Sequence, residues 1–214
     1  MSMPTGFHYL AIEGIPGAGH HRLATLLAER FEFHCELESN WFDPFSADGA
    51  AESPLSEQLR RLVWRFEHQK SLIKTDMFRQ RIVTDYLFDT HRLWGEAVLD
   101  HSARVLYKHI AEIVAPPQVA PDLVVYLQCE PGALLRALHT ESKYPDPDQL
   151  TALVDGYNRF FFEYEKSPAL IVRVDPHVLW DSAGRVDELL QRIAAHKAGK
   201  QYIMAREAEL LGDS

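Results

Sequence analysis

Gly14-Ile15-Pro16-Gly17-Ala18-Gly19-His20-His21 follows a short apolar run, His8-Tyr9-Leu10-Ala11-Ile12-Glu13, and precedes leucines at helical spacing. Strand, glycine-rich turn and helix in that order match the phosphate-cradling pattern G-x-x-x-x-G-K-[ST] up to its last two letters. Gly14, Gly17 and Gly19 open backbone angles closed to other residues and let the chain approach a ligand closely. The helix behind them points unpaired N–H groups and a partial positive charge at the same spot. An anion could be held by that backbone alone. The side chains break the pattern. His20 stands where a lysine would bring a permanent charge, and a neutral imidazole is the dominant form near pH 7. His21 stands where a Ser or Thr hydroxyl would ligate Mg²⁺, an ion that prefers oxygen. Arg22 carries a charge one residue late. On the loop alone, a glycine-rich turn that binds nothing stays open. A dinucleotide fingerprint fits less well, because G-x-G-x-x-G cannot be set in phase on these glycines.

Outward from the loop, apolar runs and helical patterns alternate. Strands are predicted at Tyr9–Ile12, Phe33–Leu37, Phe78–Thr84, Pro121–Leu127 and Leu170–Val174. Helices are predicted over His21–Phe31, Leu55–Ile73, Leu93–Val114 (stopped by Pro116-Pro117), Glu130–Leu138, Leu150–Glu165 and Val186–His196. Asn40–Ser53 and Thr140–Asp148 read as loops, the second long enough for a short lid. Residues beyond His196 form a tail with no assigned element. The alternation predicts an α/β fold, a doubly wound parallel sheet flanked by helices, as one domain over 1–214 with its core at about 7–203. In such a sheet the ligand crevice lies outside the carboxyl ends of the strands. That singles out the glycine loop, Cys35-Glu36, Asp85 and Gln128–Glu130.

The bulk properties narrow the choice. The chain has 214 residues, 46% hydrophobic and 25% charged, with a formal net charge of −9. An acidic balance disfavours extended nucleic-acid binding, which needs a basic face. Two cysteines, Cys35 and Cys129, offer no disulfide framework, so a reducing compartment is expected: the cytoplasm, or another such as the mitochondrial matrix. No apolar stretch reaches membrane length, so no membrane insertion is expected. His20, His21 and Cys35 do not complete a metal ligand set, and no metal site is predicted. Trp64, Phe66 and Phe160–Phe162 are assigned to core or dimer contacts. His91, His101 and His109 are assigned to solvated helix positions.

Five segments then share an order and spacing: Tyr9–Gly19, Ser39-Asn40-Trp41-Phe42, Val83-Thr84-Asp85-Tyr86-Leu87-Phe88-Asp89, Pro121–Leu127, and Tyr157-Asn158-Arg159-Phe160-Phe161-Phe162 ahead of Ser167-Pro168. Together they resemble the bacterial deoxynucleoside kinases, the family of deoxyadenosine and deoxyguanosine kinases, over about Phe7–Ile203. The resemblance implies a P-loop kinase fold, a nucleoside site beside the loop and frequent dimers through helix packing. It places the loop lysine at His20, the Mg²⁺ hydroxyl at His21, the base-reading glutamine at Gln58 and the sugar-contacting tyrosine at Ser46. The catalytic carboxylate falls on Cys35, with Glu36 one residue late. One residue along a strand reverses the side chain's face, so Glu36 serves only where the strand end is irregular. The arginine-rich lid falls on His139–Pro145, where Lys143 is the one basic residue. Asp85 keeps its place.

Phosphoryl transfer rests on positioning and on charge stabilisation by lysine, Mg²⁺ and arginines. The expected reading is therefore a kinase-like protein impaired in catalysis, acting as a binding or structural subunit. Its partners would be a nucleotide, nucleoside or anion in the loop, and a second copy or a larger complex. The alternative is an active ATP-dependent deoxynucleoside kinase using ATP and Mg²⁺, with Arg22 or Lys143 replacing the lysine and Glu36 as base.

Overall fold

A computed structural model describes residues 7–38, 53–74, 80–114, 118–141 and 145–204. Six strands form one parallel sheet in the order β2-β3-β1-β4-β5-β6. The strands are β1 Tyr9–Gly14, β2 His34–Glu36, β3 Ile82–Thr84, β4 Leu123–Gln128, β5 Ala169–Arg173 and β6 Lys200–Met204. The helices are α1 His20–Phe31, α2 Pro54–Lys74, α3 His91–Val98, α4 His101–Val114, α5 Pro131–Thr140, α6 Pro147–Glu163, α7 Pro176–Trp180 and α8 Ala183–Ala195. From β1 the chain winds first toward β3 and β2, then returns to lay β4 on the other side. The direction of winding reverses at β1, and the glycine loop leaves that strand at its carboxyl end. The fold thus puts the loop where an open α/β sheet places its crevice.

β1 and β4 are apolar because helices cover both sheet faces. Every residue of β1 is buried, Glu13 included. The Asp122 carboxylate, just before β4, accepts the His8 and Tyr9 N–H groups at 2.6 and 2.8 Å and ties the start of β1 to its neighbour. Leu23, Ala24, Leu27 and Phe31 bury one face of α1, and the helix ends where Glu32 turns left-handed at φ 58°. Tyr126 of β4 stacks on Phe161 of α6 with centroids 4.2 Å apart. Each such fully buried large side chain contributes roughly 1.5–3 kcal/mol by leaving water.

The structure refines several expected elements. The single helix over Leu93–Val114 is two helices. Leu99 is extended at the break, and the Asp100 carboxylate accepts the Ser102 hydroxyl and the Ala103 N–H to cap α4. β6 lies in the tail that had no element assigned. As an edge strand it is largely exposed and lacks an apolar run. β3 is confined to Ile82–Thr84, and residues 75–79 fall outside the described range. Phe160 and Phe161 are core, whereas Phe162 is 74% exposed. His91 is not solvated: it is half-buried, Nδ1 lies 2.9 Å from the Tyr107 hydroxyl, and burial, then the Arg65 charge, holds it down to about 3. Among the described residues no helix is long and apolar enough to cross a membrane.

Candidate active site

The glycine loop has the backbone its sequence requires. Gly17 and Gly19 sit at φ 92° and 83°, where a side chain is strained. The Ala18 N–H donates to the Ile15 carbonyl at 2.9 Å, closing the turn. Gly19 caps α1, so the unpaired amides of the first helical turn face the loop. Trp180, at the end of α7, lies directly on it. Its Nε1–H donates to the Ala18 carbonyl at 3.1 Å, and a Cβ on Gly19 would stand 2.2 Å from that nitrogen. Arg22 is exposed and its guanidinium lies over the same indole, 4.7 Å from its centroid.

His20 turns inward over the loop's first glycine: a Cβ on Gly14 would meet His20 Nδ1 at 3.1 Å. Nδ1 is shut off from solvent and has no hydrogen-bond partner among the described residues. Burial, then the neighbouring His21, pushes its pKa down to about 3, so the ring is neutral at physiological pH. His21 is exposed. The loop thus offers neither the fixed cation nor the oxygen ligand that a magnesium-bound triphosphate needs, and these residues do not fit that group. Among the described residues, no three His, Cys, Asp or Glu side chains stand together as a metal set.

Beside the loop lies a buried charged cluster. Glu38, two residues past β2 and 5% exposed, accepts Arg61 Nε and Nη2 at 2.9 and 2.6 Å, and Arg65 Nε and Nη2 at 2.6 and 2.8 Å. Burial alone would raise this carboxyl, but the two guanidiniums outweigh it and hold it down to about 2. Arg65 is fully buried and also donates through Nη1 to the Leu87 carbonyl and the Thr90 hydroxyl. The same turn bonds Glu13: Oε2 accepts the Leu87 N–H at 2.6 Å and lies 3.0 Å from Thr90 Oγ1, and Oε1 accepts the Tyr157 hydroxyl at 3.2 Å. Burial pushes Glu13 up to about 7, against the pull of Arg65. Trp94 completes the cluster, its Nε1–H donating to the Tyr157 hydroxyl and its ring facing Arg61.

Most of the residues singled out in the sequence have a definite place here. Asp85 directly follows β3, and its Oδ1 accepts the Glu38 N–H at 2.6 Å. Gln58 is buried on the α2 face that carries Arg61 and Arg65, and its Oε1 has no partner among the described residues. Cys35 and Glu36 belong to β2, in regular register with Val83 and Thr84 of β3. Glu36 points with His34, its Oε1 2.7 Å from His34 Nε2 on an exposed face. Burial, then Asp85, pushes the Cys35 thiol up to about 11, so it stays protonated. Ser46 and Lys143 lie outside the described residues.

Four buried charges at the centre of this arrangement escaped the sequence reading: Glu13, Glu38, Arg61 and Arg65. Signals for them existed. Glu13 is the one charge in an otherwise apolar strand. Gln58, Arg61, Leu62 and Arg65 recur at i, i+3, i+4 and i+7, a core-facing stripe, so two arginines on it demanded a partner. Nothing in the sequence distinguishes Glu38 from Glu36, because the bend after β2 is not encoded in residue type.

A deoxynucleoside kinase family model matches residues 10–196. A probable thymidylate kinase of Picrophilus torridus is 25% identical over 164 residues, covering 73% of this chain and 80% of that relative. Among solved structures, the deoxyadenosine kinase of M. mycoides with bound dATP superposes at a TM-score of 0.60 and 12% identity, over 86% of this chain and 98% of that one. The same enzyme with products dCMP and a flexible dCDP gives 0.69 and 14%, over 86% and 97%.

Proposed function

Because this chain belongs to the deoxynucleoside kinase family, we propose that it keeps the family's nucleoside crevice but has lost phosphoryl transfer, and serves as a binding or structural subunit. The observation that carries this reading is His20. A half-buried imidazole, kept neutral by burial and by His21, stands where the loop needs a permanent cation. Arg22, the next residue but one, is exposed and has its guanidinium engaged over the Trp180 ring. Glu36 is engaged by His34 at the sheet edge. Glu38 is buried and its side chain is bonded to Arg61 and Arg65, and a group held down to about 2 is a weak proton acceptor. Each missing transition-state contact costs a few kcal/mol, and here several are missing together.

The test is direct. The purified protein with Mg-ATP and a panel of deoxynucleosides is expected to turn over far below the ordinary kinase range of about 1–100 s⁻¹. Turnover inside that range would sink the reading. The double change His20→Lys with His21→Thr is expected to raise ATP affinity at least about tenfold by calorimetry, since it restores a charge and an oxygen ligand to an intact backbone cradle. An unchanged affinity would mean the loop is no relic phosphate site.

A structural role needs a partner surface. α2 and α4 pack side by side and leave Val63, Ile73, Val105, Leu106 and Ile113 between 48% and 72% exposed. Apolar residues repeated along two neighbouring helices suit a second copy of this chain. Light scattering at micromolar concentration is expected to give a dimer, and Leu106→Asp with Ile113→Asp a monomer. A monomeric parent protein would remove the dimer from the proposal.

A further inference from the structure

A cavity of about 170 Å³ lies between the last turns of α2, the turn after β3, the approach to β4 and the end of α6. Its floor is Tyr9, which begins β1, whereas the glycine loop follows the far end of that strand. It therefore lies outside the crevice discussed above. Leu87, Phe88, Val119 and Pro121 make its walls apolar. Three of its polar side chains are engaged with partners. Gln69 Oε1 accepts the Val119 N–H at 3.1 Å, and Lys166 Nζ donates to Asp89 Oδ1 at 2.5 Å. Lys166 is 60% exposed at its side chain, so this ion pair marks the mouth.

Interior voids larger than a water are few in a folded domain. A cavity of about 150 Å³ accepts a benzene ring when its walls are apolar, and here the apolar walls sit beside polar groups, the Asp89–Lys166 pair among them, at a mouth open to solvent. The geometry points to a binding site for one small aromatic ring bearing a single hydroxyl, a ligand of the phenol class. The ring fills the apolar chamber, and the hydroxyl reaches the Asp89–Lys166 pair, where a carboxylate accepts and an ammonium donates. A charged ring would lose more hydration than one exposed ion pair returns. The occupied site bears on the rest of the molecule through one turn. Side chains of Leu87, Phe88 and Asp89 line the cavity, while the Leu87 N–H and carbonyl hold Glu13 and Arg65.

Phenol titrated into the full-length ¹⁵N-labelled protein tests this. Saturable shifts are expected at the amides of Leu87, Phe88, Asp89 and Val119, with a midpoint of about 1 mM. Ala120 lines the cavity from an exposed position, so Ala120→Trp plugs it with little risk to folding. That variant, and Val119→Phe as a second plug, are expected to bind at least about tenfold more weakly with the rest of the spectrum unchanged. Shifts that never saturate, shifts centred on other residues, or the same midpoint in a folded plugged variant would overturn the site.

Discussion

Glu38→Ala is expected to remove about 3–5 kcal/mol of stability, because it leaves the Arg61 and Arg65 charges buried without a counter-ion. Arg65 is 0% exposed and Arg61 8%, so neither guanidinium can recover hydration without local unfolding. A domain of this kind has only about 5–15 kcal/mol in hand, so the loss is a large share of the whole. Urea denaturation should show a lower midpoint at an unchanged slope. The cluster predicts a second result of opposite character. Glu38→Leu, Arg61→Met and Arg65→Met together remove all three charges, and such replacements are often neutral or stabilising by about 1–4 kcal/mol. The triple variant should therefore be more stable than the single one. If Glu38→Ala costs under about 1 kcal/mol, the value of an exposed ion pair, then the cluster is solvated in solution and the crevice is open to water.

The same carboxylate fixes an acid limit. Its folded pKa of about 2 lies below the ordinary 4.5, so its contribution is complete above pH 4.5 and is lost as pH falls toward 2. Acid unfolding of the wild type in that window should become shallower in the triple variant.

The fold was largely legible because its strongest signals are local. Leu123–Leu127 is apolar throughout, and a buried parallel strand leaves few other readings. α1 announces itself by Leu23, Leu27 and Phe31, and α2 by its long apolar stripe. What stayed hidden depends on tertiary context. β6 is an exposed edge strand whose pairing with β5 gives it its conformation, and Lys200-Gln201-Tyr202 carries no pattern of its own. The break at Leu99-Asp100 hides behind continuous helical periodicity, and only a cap marks it. The site was half legible. Glycine spacing predicted the loop, since left-handed angles demand glycine. The absence of Lys and Ser/Thr at positions 20 and 21 was equally plain. Where those histidines would point was not: His20 inward and neutral, His21 outward. Nor could sequence foresee Trp180 on the loop, because α7 reaches it from 162 residues away. Buried ion clusters are the hardest to read, since charge on a helix normally signals solvent. Only its phase with Leu62 betrays Arg65.

Glu13 offers the sharper pH experiment. Burial raises its pKa from 4.5 to about 7, so between those values the folded state holds a proton that the unfolded chain has released. Stability from this group is therefore full below pH 4.5, declines as pH rises, and reaches its lowest value above pH 7, a loss of about 3 kcal/mol. His20 and His91 pull the other way. Both are held down to about 3, so the unfolded chain binds their protons first, and their contribution grows as pH rises from 3 to 6.5. The wild-type profile alone would blur these opposing slopes, and the informative quantity is the difference from Glu13→Gln. That variant keeps an acceptor for the Leu87 N–H but cannot ionise. Relative to wild type it should gain about 3 kcal/mol between pH 4.5 and pH 8, read by urea denaturation at each pH. A difference that stays flat across the range would place Glu13 in contact with water. A gain of the expected sign would mean that the charge of the Glu13, Glu38, Arg61 and Arg65 cluster changes by one near neutral pH. The crevice would then present a net positive field below pH 7 and a balanced one above it. A neutral nucleoside is indifferent to that change, while an anionic ligand drawn by the cluster's field binds more tightly at the lower pH. Comparing the pH dependence of deoxynucleoside and deoxynucleotide binding in wild type and Glu13→Gln thus separates the two ligand classes. The expected outcome is a pH-dependent affinity for the nucleotide that the variant abolishes, and a constant affinity for the nucleoside.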